Sequence, residues 1–105
     1  MPLPQDQKKR FKKIGHYLKP VVMVAEKGLT KNVIAELDQA LENHELIKIK
    51  LAIQDRDDRS ELLTLACQET QAELVQSIGK TALIYRAAKK PNPKLSNILR
   101  SQAKI

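Results

Sequence analysis

A single glycine, Gly28, stands between an apolar run, Val21-Val22-Met23-Val24-Ala25, and a segment that opens Thr30-Lys31-Asn32 and continues with helical spacing. Glycine permits positive φ and a close approach of backbone to ligand. The free N–H groups of a first helical turn, here near Lys31 and Asn32, attract anions, and the helix dipole adds to that attraction. Lys27 and Lys31 flank the same point. Lys48 and Lys50 follow in the next segment, E-L-I-K-I-K-L-A-I over residues 45–53. This set suits the binding of a phosphate backbone. A plainer meaning stands beside it: Gly28 turns the chain from strand to helix, and the two lysines are the solvated side of a half-buried strand. The G-x-x-x-x-G-K-[ST] spacing of a nucleotide loop is absent.

Other groups with chemical potential do not assemble. His44-Glu45 has only His16 as a second histidine, and H-x-x-x-H and C-x-x-C spacings are lacking. His44 reads as a helix-terminal residue facing the negative end of the dipole. Cys67 lies among apolar neighbours and reads as an inert core thiol. Asp55, Asp57 and Asp58 cluster without a calcium-loop pattern, and Asp58 has the position of a helix cap. No catalytic set, metal site or cofactor is expected, so the chain reads as a non-enzyme.

Charge placement says more than the net charge of +7. Residues 1–19 hold six Lys/Arg against one acid, residues 20–73 six against eleven, and residues 74–105 seven against none. Basic ends around an acidic middle attract polyanions, nucleic acid before acidic membranes. A length of 105 residues implies one domain with one core, and three aromatics make that core aliphatic. No apolar run reaches the ~20 residues of a membrane helix. One cysteine excludes an intramolecular disulfide, and the start of the chain shows no secretory apolar stretch, so a cytoplasmic location is expected.

The elements that must position these groups follow from periodicity. Residues 5–18 read as a helix, with Phe11, Ile14 and Leu18 on one face and Lys8, Lys9, Arg10, Lys12 and Lys13 mostly elsewhere. Pro20 ends it. Residues 21–25 read as a buried strand. A second helix spans about 30–43, capped by Thr30, with a Leu29–Ile34 staple and an apolar face of Val33, Ile34, Leu37, Ala40 and Leu41. In the strand over 45–53, Ile47, Ile49, Leu51 and Ile53 share the core face, and Leu46, Lys48, Lys50 and Ala52 the other. Asp58 and Glu61 predict a third helix over about 59–71, with Leu62, Leu63, Ala66 and Cys67 or Thr70 inward. Strands over about 73–78 and 81–86 meet at Gly79-Lys80, a type II′ hairpin signal. The domain thus covers 1–87. Residues 88–105 form a basic tail, with an extended linker over 87–94 and a short helix over 95–103 that docks weakly or only with a partner. The order α-β-α-β-α-β-β predicts a compact α/β two-layer sandwich around a four-stranded mixed sheet.

These residues closely resemble a known family. Leu18-Lys19-Pro20, Gly28-Leu29-Thr30, Asn32-Val33-Ile34, Glu36, Ala40-Leu41, His44-Glu45-Leu46-Ile47-Lys48, Gly79-Lys80-Thr81 and Leu83-Ile84-Tyr85-Arg86 match, in order, the chloroplast RNA splicing and ribosome maturation (CRM) domain. Its free-standing bacterial form is the YhbY family. The resemblance covers roughly residues 5–87. It implies a fold like the C-terminal domain of translation initiation factor three, RNA binding, and association with precursors of the large ribosomal subunit. It also implies a KH-like G-x-x-G loop, which here reads Ala25-Glu26-Lys27-Gly28. Alanine disfavours positive φ and Glu26 repels phosphate, so the expected burden of binding shifts to lysines. Lys27, Gly28, Lys31 and Asn32 are expected to hold RNA backbone. Lys9, Lys12, Lys13, Lys19, Lys48, Lys50 and Arg86 extend the footprint. With so few aromatics, structured rRNA read by shape and phosphate position is the expected partner. The competing expectation is a module that docks on ribosomal proteins or an assembly GTPase through the basic ends.

Overall fold

The computed structural model describes residues 3–99. Its elements run α1 (Gln5–His16), β1 (Pro20–Val24), α2 (Lys31–His44), β2 (Leu46–Leu51), α3 (Arg56–Thr70), β3 (Glu73–Ile78) and β4 (Thr81–Tyr85). The four strands form one sheet in the order β1-β2-β4-β3. β1 and β2 are parallel, and β4 runs antiparallel to both of its neighbours, β2 and β3. This is the expected α/β arrangement with a mixed sheet. The hairpin strand β4 inserts between β2 and β3. Gly79 alone takes positive φ (+56°) in the two-residue turn, as the type II′ expectation requires.

Strand alternation divides the interior. Val22, Val24, Ile47, Ile49, Leu51, Ala82 and Ile84 pack against Leu37 and Leu41 of α2 and Leu63 and Ala66 of α3. Leu46, Val75 and Leu83 face the other way and pack with Phe11 of α1 and Ile98. The sandwich therefore gains a partial third layer, because successive residues of β2 are apolar on both sides at its Leu46 end. α1 lies close to the sheet at Gly15, where a Cβ would come within 2.4 Å of Leu83 Cδ2. A side chain there would require Leu83 to shift.

Several boundaries move for local reasons. α1 stops at His16 rather than residue 18, and its last turn tightens. Tyr17 N–H donates to Ile14 O (3.2 Å) and Leu18 N–H to Gly15 O (3.1 Å), an i→i−3 pattern. α3 begins at Arg56, three residues earlier than the expected start at 59. Its cap is Asp55, whose carboxylate accepts from Asp58 N–H at 3.0 Å, so Asp58 is inside the helix and not its cap. β1 is not buried on both faces. It is an edge strand, and Val21 and Met23 are 52% and 58% exposed. In α2 the Thr30 cap stands as expected, with Val33 N–H donating to its Oγ1 at 3.2 Å.

Glu45 leaves the expected strand over 45–53 and becomes the residue that closes α2, at φ 63° and ψ −54°. That conformation costs a non-glycine residue about 1–3 kcal/mol. It turns a carboxylate inward, where Glu45 is only 6% exposed. The carboxylate accepts from Ala88 N–H at 2.8 Å and from Ser96 Oγ at 2.6 Å. Glu42 accepts from Lys89 N–H at 3.1 Å, and Asn97 Nδ2 donates to Leu46 O at 2.7 Å. The segment expected as an extended linker over 87–94 is thus held at Ala88 and Lys89, and Ile98 is buried in the same cluster as Phe11. Residues 97–99 are helical; the rest of the helix expected over 95–103 lies outside the described residues.

Candidate nucleic-acid interface

The loop after β1 is a tight turn. Gly28 N–H donates to Ala25 O at 2.8 Å, and Gly28 takes φ +75°. Ala25 is not among the residues with positive φ. The expected penalty of alanine at the first loop position is therefore absent: the turn needs left-handed backbone at its fourth residue only. Glu26, Lys27, Lys31 and Asn32 are all exposed. The Thr30 hydroxyl satisfies Val33 N–H, while the N–H groups of Lys31 and Asn32 have no partner among the described residues. Two donors and two lysines thus face solvent at the start of α2.

The surroundings of the loop are not uniform. Toward α3, a shallow groove is lined by Glu26, Asp58 and Glu61 with Gly28, Ile53 and Leu62. Three carboxylates repel a phosphate from that side. The opposite side is cationic. Lys48 and Lys50 point to the sheet face that carries α1, since their neighbours Ile47, Ile49 and Leu51 belong to the other core. Lys50 is exposed and Lys48 half-buried. On α1, a rotation of about 100° per residue puts Lys12 some 100° and Lys9 and Lys13 about 160° round from buried Phe11. All three are exposed, and so is Lys19 just before β1. The sheet thereby separates the acids of α2 and α3 from the lysines of α1 and β2.

Arg86 does not belong to this surface, contrary to the sequence expectation. Its Nη1 donates to Asp38 Oδ1 (2.8 Å) and to Thr70 O (2.9 Å), and its Nη2 to Asp38 O (3.1 Å). Glu42 adds a carboxylate at 3.9 Å. The guanidinium ties α2 to the end of α3 and is committed there. It also lies far from the loop. Tyr85 pairs with Leu46 at one end of β2, whereas Val24, just before the loop, pairs with Leu51 at the other. Five residue steps separate those ends by about 17 Å.

Two residues that sequence reasoning passed over come into place. Lys80, in the hairpin turn, reaches the loop end of the sheet because its carbonyl accepts from Leu51 N–H. No local signal could show this, since it depends on β4 pairing with β2. Tyr17, counted with the aromatics, is 85% exposed and packs edge-on against His16, with ring centroids 5.2 Å apart. Its place beyond the Phe11–Ile14 stripe is the one sequence clue to that exposure.

The thiol of Cys67 is pushed up to about 11 by burial and then by the Glu73 carboxylate. This agrees with an inert thiol. Among the described residues no group of three or more His, Cys, Asp or Glu is placed to hold a metal ion, and no helix is long and apolar enough to cross a membrane.

Comparison with known proteins gives a consistent result. Residues 3–86 match the model of the CRS1 / YhbY (CRM) domain. A Pseudomonas aeruginosa protein named a probable RNA-binding protein is 61% identical over 100 residues, covering 95% of this chain and 96% of that protein. An RNA-binding protein of Haemophilus influenzae is 43% identical over 84 residues, covering 80% and 85%. The solution structure of a hypothetical protein from Staphylococcus aureus superposes with a TM-score of 0.75 at 34% identity, over 90% of this chain and 97% of that one.

Proposed function

The chain belongs to the CRS1 / YhbY (CRM) domain family, and from that premise we propose that it is a non-enzymatic RNA-binding protein acting on rRNA in precursors of the large ribosomal subunit, in the cytoplasm. One observation carries the RNA-binding reading: the lysines of α1 and β2 lie on one side of the sheet and most of the carboxylates on the other. Lys9, Lys12, Lys13, Lys19, Lys48 and Lys50 lie on the α1 side or at the strand edge, and the carboxylates of α2 and α3 lie across the sheet. Relatives named as RNA-binding proteins support the polyanion being RNA. The large-subunit precursor is supported by the association of the bacterial family members that this sequence resembles.

In this reading Lys27, Gly28, Lys31 and Asn32 receive backbone phosphates at the start of α2. The α1 and β2 lysines extend the contact on the side away from Glu26, Asp58 and Glu61. Arg86 has no part in it. Ultraviolet crosslinking in cells followed by sequencing of the bound RNA tests the proposal. Crosslinks should concentrate in large-subunit rRNA. Co-migration with ribosomal particles that survives complete RNA digestion would instead assign the contact to ribosomal proteins or an assembly GTPase.

A further inference from the structure

The row of side chains nearest the loop is open on the α1 face of the sheet. Ladder partners put Met23 beside Lys50, Lys50 beside Thr81, and Thr81 beside Ile78. Met23 and Ile78 are 58% and 63% exposed, and Lys50 is exposed between them. One row inward the face is closed, because Leu83 is buried beneath Gly15 of α1. α1 therefore leaves the loop end of this face uncovered. The open row crosses four strands, and three interstrand steps make it about 14 Å long. Val21 adds a further exposed aliphatic group on the β1 edge.

We propose that this row receives unpaired nucleotides that flank a helical segment of the bound RNA. The proposal rests on the RNA-binding reading and adds the class of RNA that fits. Its aliphatic side chains offer weakly hydrated contact to exposed base faces and riboses, and a single lysine at its centre offers a phosphate partner. A continuous duplex cannot use such a surface, since its bases are stacked inside. Charge argues against the other occupants. A second copy meeting this face in a two-fold contact would set Lys50 near Lys50. A protein partner would need an acid for Lys50, with Lys27 and Lys80 at the borders of the row.

Two synthetic RNAs test this by fluorescence anisotropy: a blunt, fully paired hairpin, and the same stem carrying a short bulge. The protein should bind the bulged stem about tenfold more tightly, equivalent to about 1.4 kcal/mol. The double variant Met23→Ser, Ile78→Ser should lose that advantage and keep both its affinity for the blunt hairpin and the slope of affinity against salt. Both positions are exposed, and an unchanged thermal melt checks the fold. Equal binding of the two RNAs by the unaltered protein overturns the proposal, as does a double variant that keeps the preference. A dimer abolished by the same substitutions would overturn it in favour of a second copy. Failure to bind either RNA would defeat the underlying RNA-binding reading instead.

Discussion

Ser96 Oγ donates a 2.6 Å hydrogen bond to Oε1 of Glu45, joining residues 51 positions apart in the chain. Both residues are buried, Ser96 completely. With Ala88 N–H on Oε2, this carboxylate fastens the segment after β4 to the C-terminal end of α2. Glu45→Ala leaves one buried and one part-buried donor without acceptors, a loss of about 2–3 kcal/mol. Urea unfolding should show it, and amide exchange at Ala88 should accelerate. Glu45→Gln has a separate readout. Burial and then the Glu45 charge hold the Tyr85 phenol above its ordinary value. Removing the charge should move that titration part of the way down, as followed by ultraviolet absorbance; an unmoved titration would separate Glu45 from Tyr85.

Arg86→Ala should lower stability by about 2 kcal/mol, because Thr70 O and Asp38 lose a charge-assisted partner in a part-buried site. Its RNA affinity and salt slope should match those of the unaltered protein under conditions where both are folded. A reduced slope would return Arg86 to the interface.

Phosphate contacts make binding sensitive to salt. With about six neutralised phosphates, affinity should fall roughly 10³-fold between about 50 and 200 mM salt. Lys27→Glu with Lys31→Glu should weaken binding and flatten the slope of log affinity against log salt by nearly two. Affinity that stays level across this range would remove the phosphate model, and an unaffected double variant would move the site away from the loop.

The loop itself allows a paired test. Gly28→Ala forces alanine to φ +75° and should cost about 1–2 kcal/mol. A Cβ there meets nothing closer than Leu62 Cδ2 at 3.5 Å, so the effect is conformational and not steric. Ala25→Gly, which puts glycine at both ends of the loop, should leave RNA affinity unchanged and lower stability by up to about 1 kcal/mol, because Ala25 already has an ordinary φ. A marked gain in affinity on Ala25→Gly would show that the bound loop needs a different backbone.

Cys67 supplies a pH dependence. Its thiol is raised from 9.0 to about 11 in the folded chain, so the folded state holds the proton more tightly than the unfolded state does. Its contribution to stability is complete below the unfolded value and is lost as pH rises through the folded one. Denaturation midpoints of the unaltered protein should fall more steeply from pH 9 to 11 than those of Cys67→Ala. At pH 8 the native thiol should react slowly with a disulfide reagent and quickly once unfolded.

Much of this molecule follows from signals that act over three or four residues. Thr30 caps α2 whatever surrounds it, Gly79-Lys80 turns a hairpin, and the alternation of 46–51 sets Lys48 and Lys50 opposite the isoleucines. The element order and the three charge blocks are equally local. Even here two nearby candidates can compete, as when Asp55 and not Asp58 takes the cap of α3. What the tertiary structure decided lies in contacts between distant residues. Arg86 meets Asp38 and Thr70, Glu45 meets Ser96, and Lys80 comes beside Leu51 only because β4 enters the sheet between β2 and β3. That choice removed Arg86 from the cationic surface, brought Lys80 to it, and left Met23, Lys50 and Ile78 in one open row. Residue type states what a side chain can do, but strand order and helix coverage determine which of its neighbours it does it with.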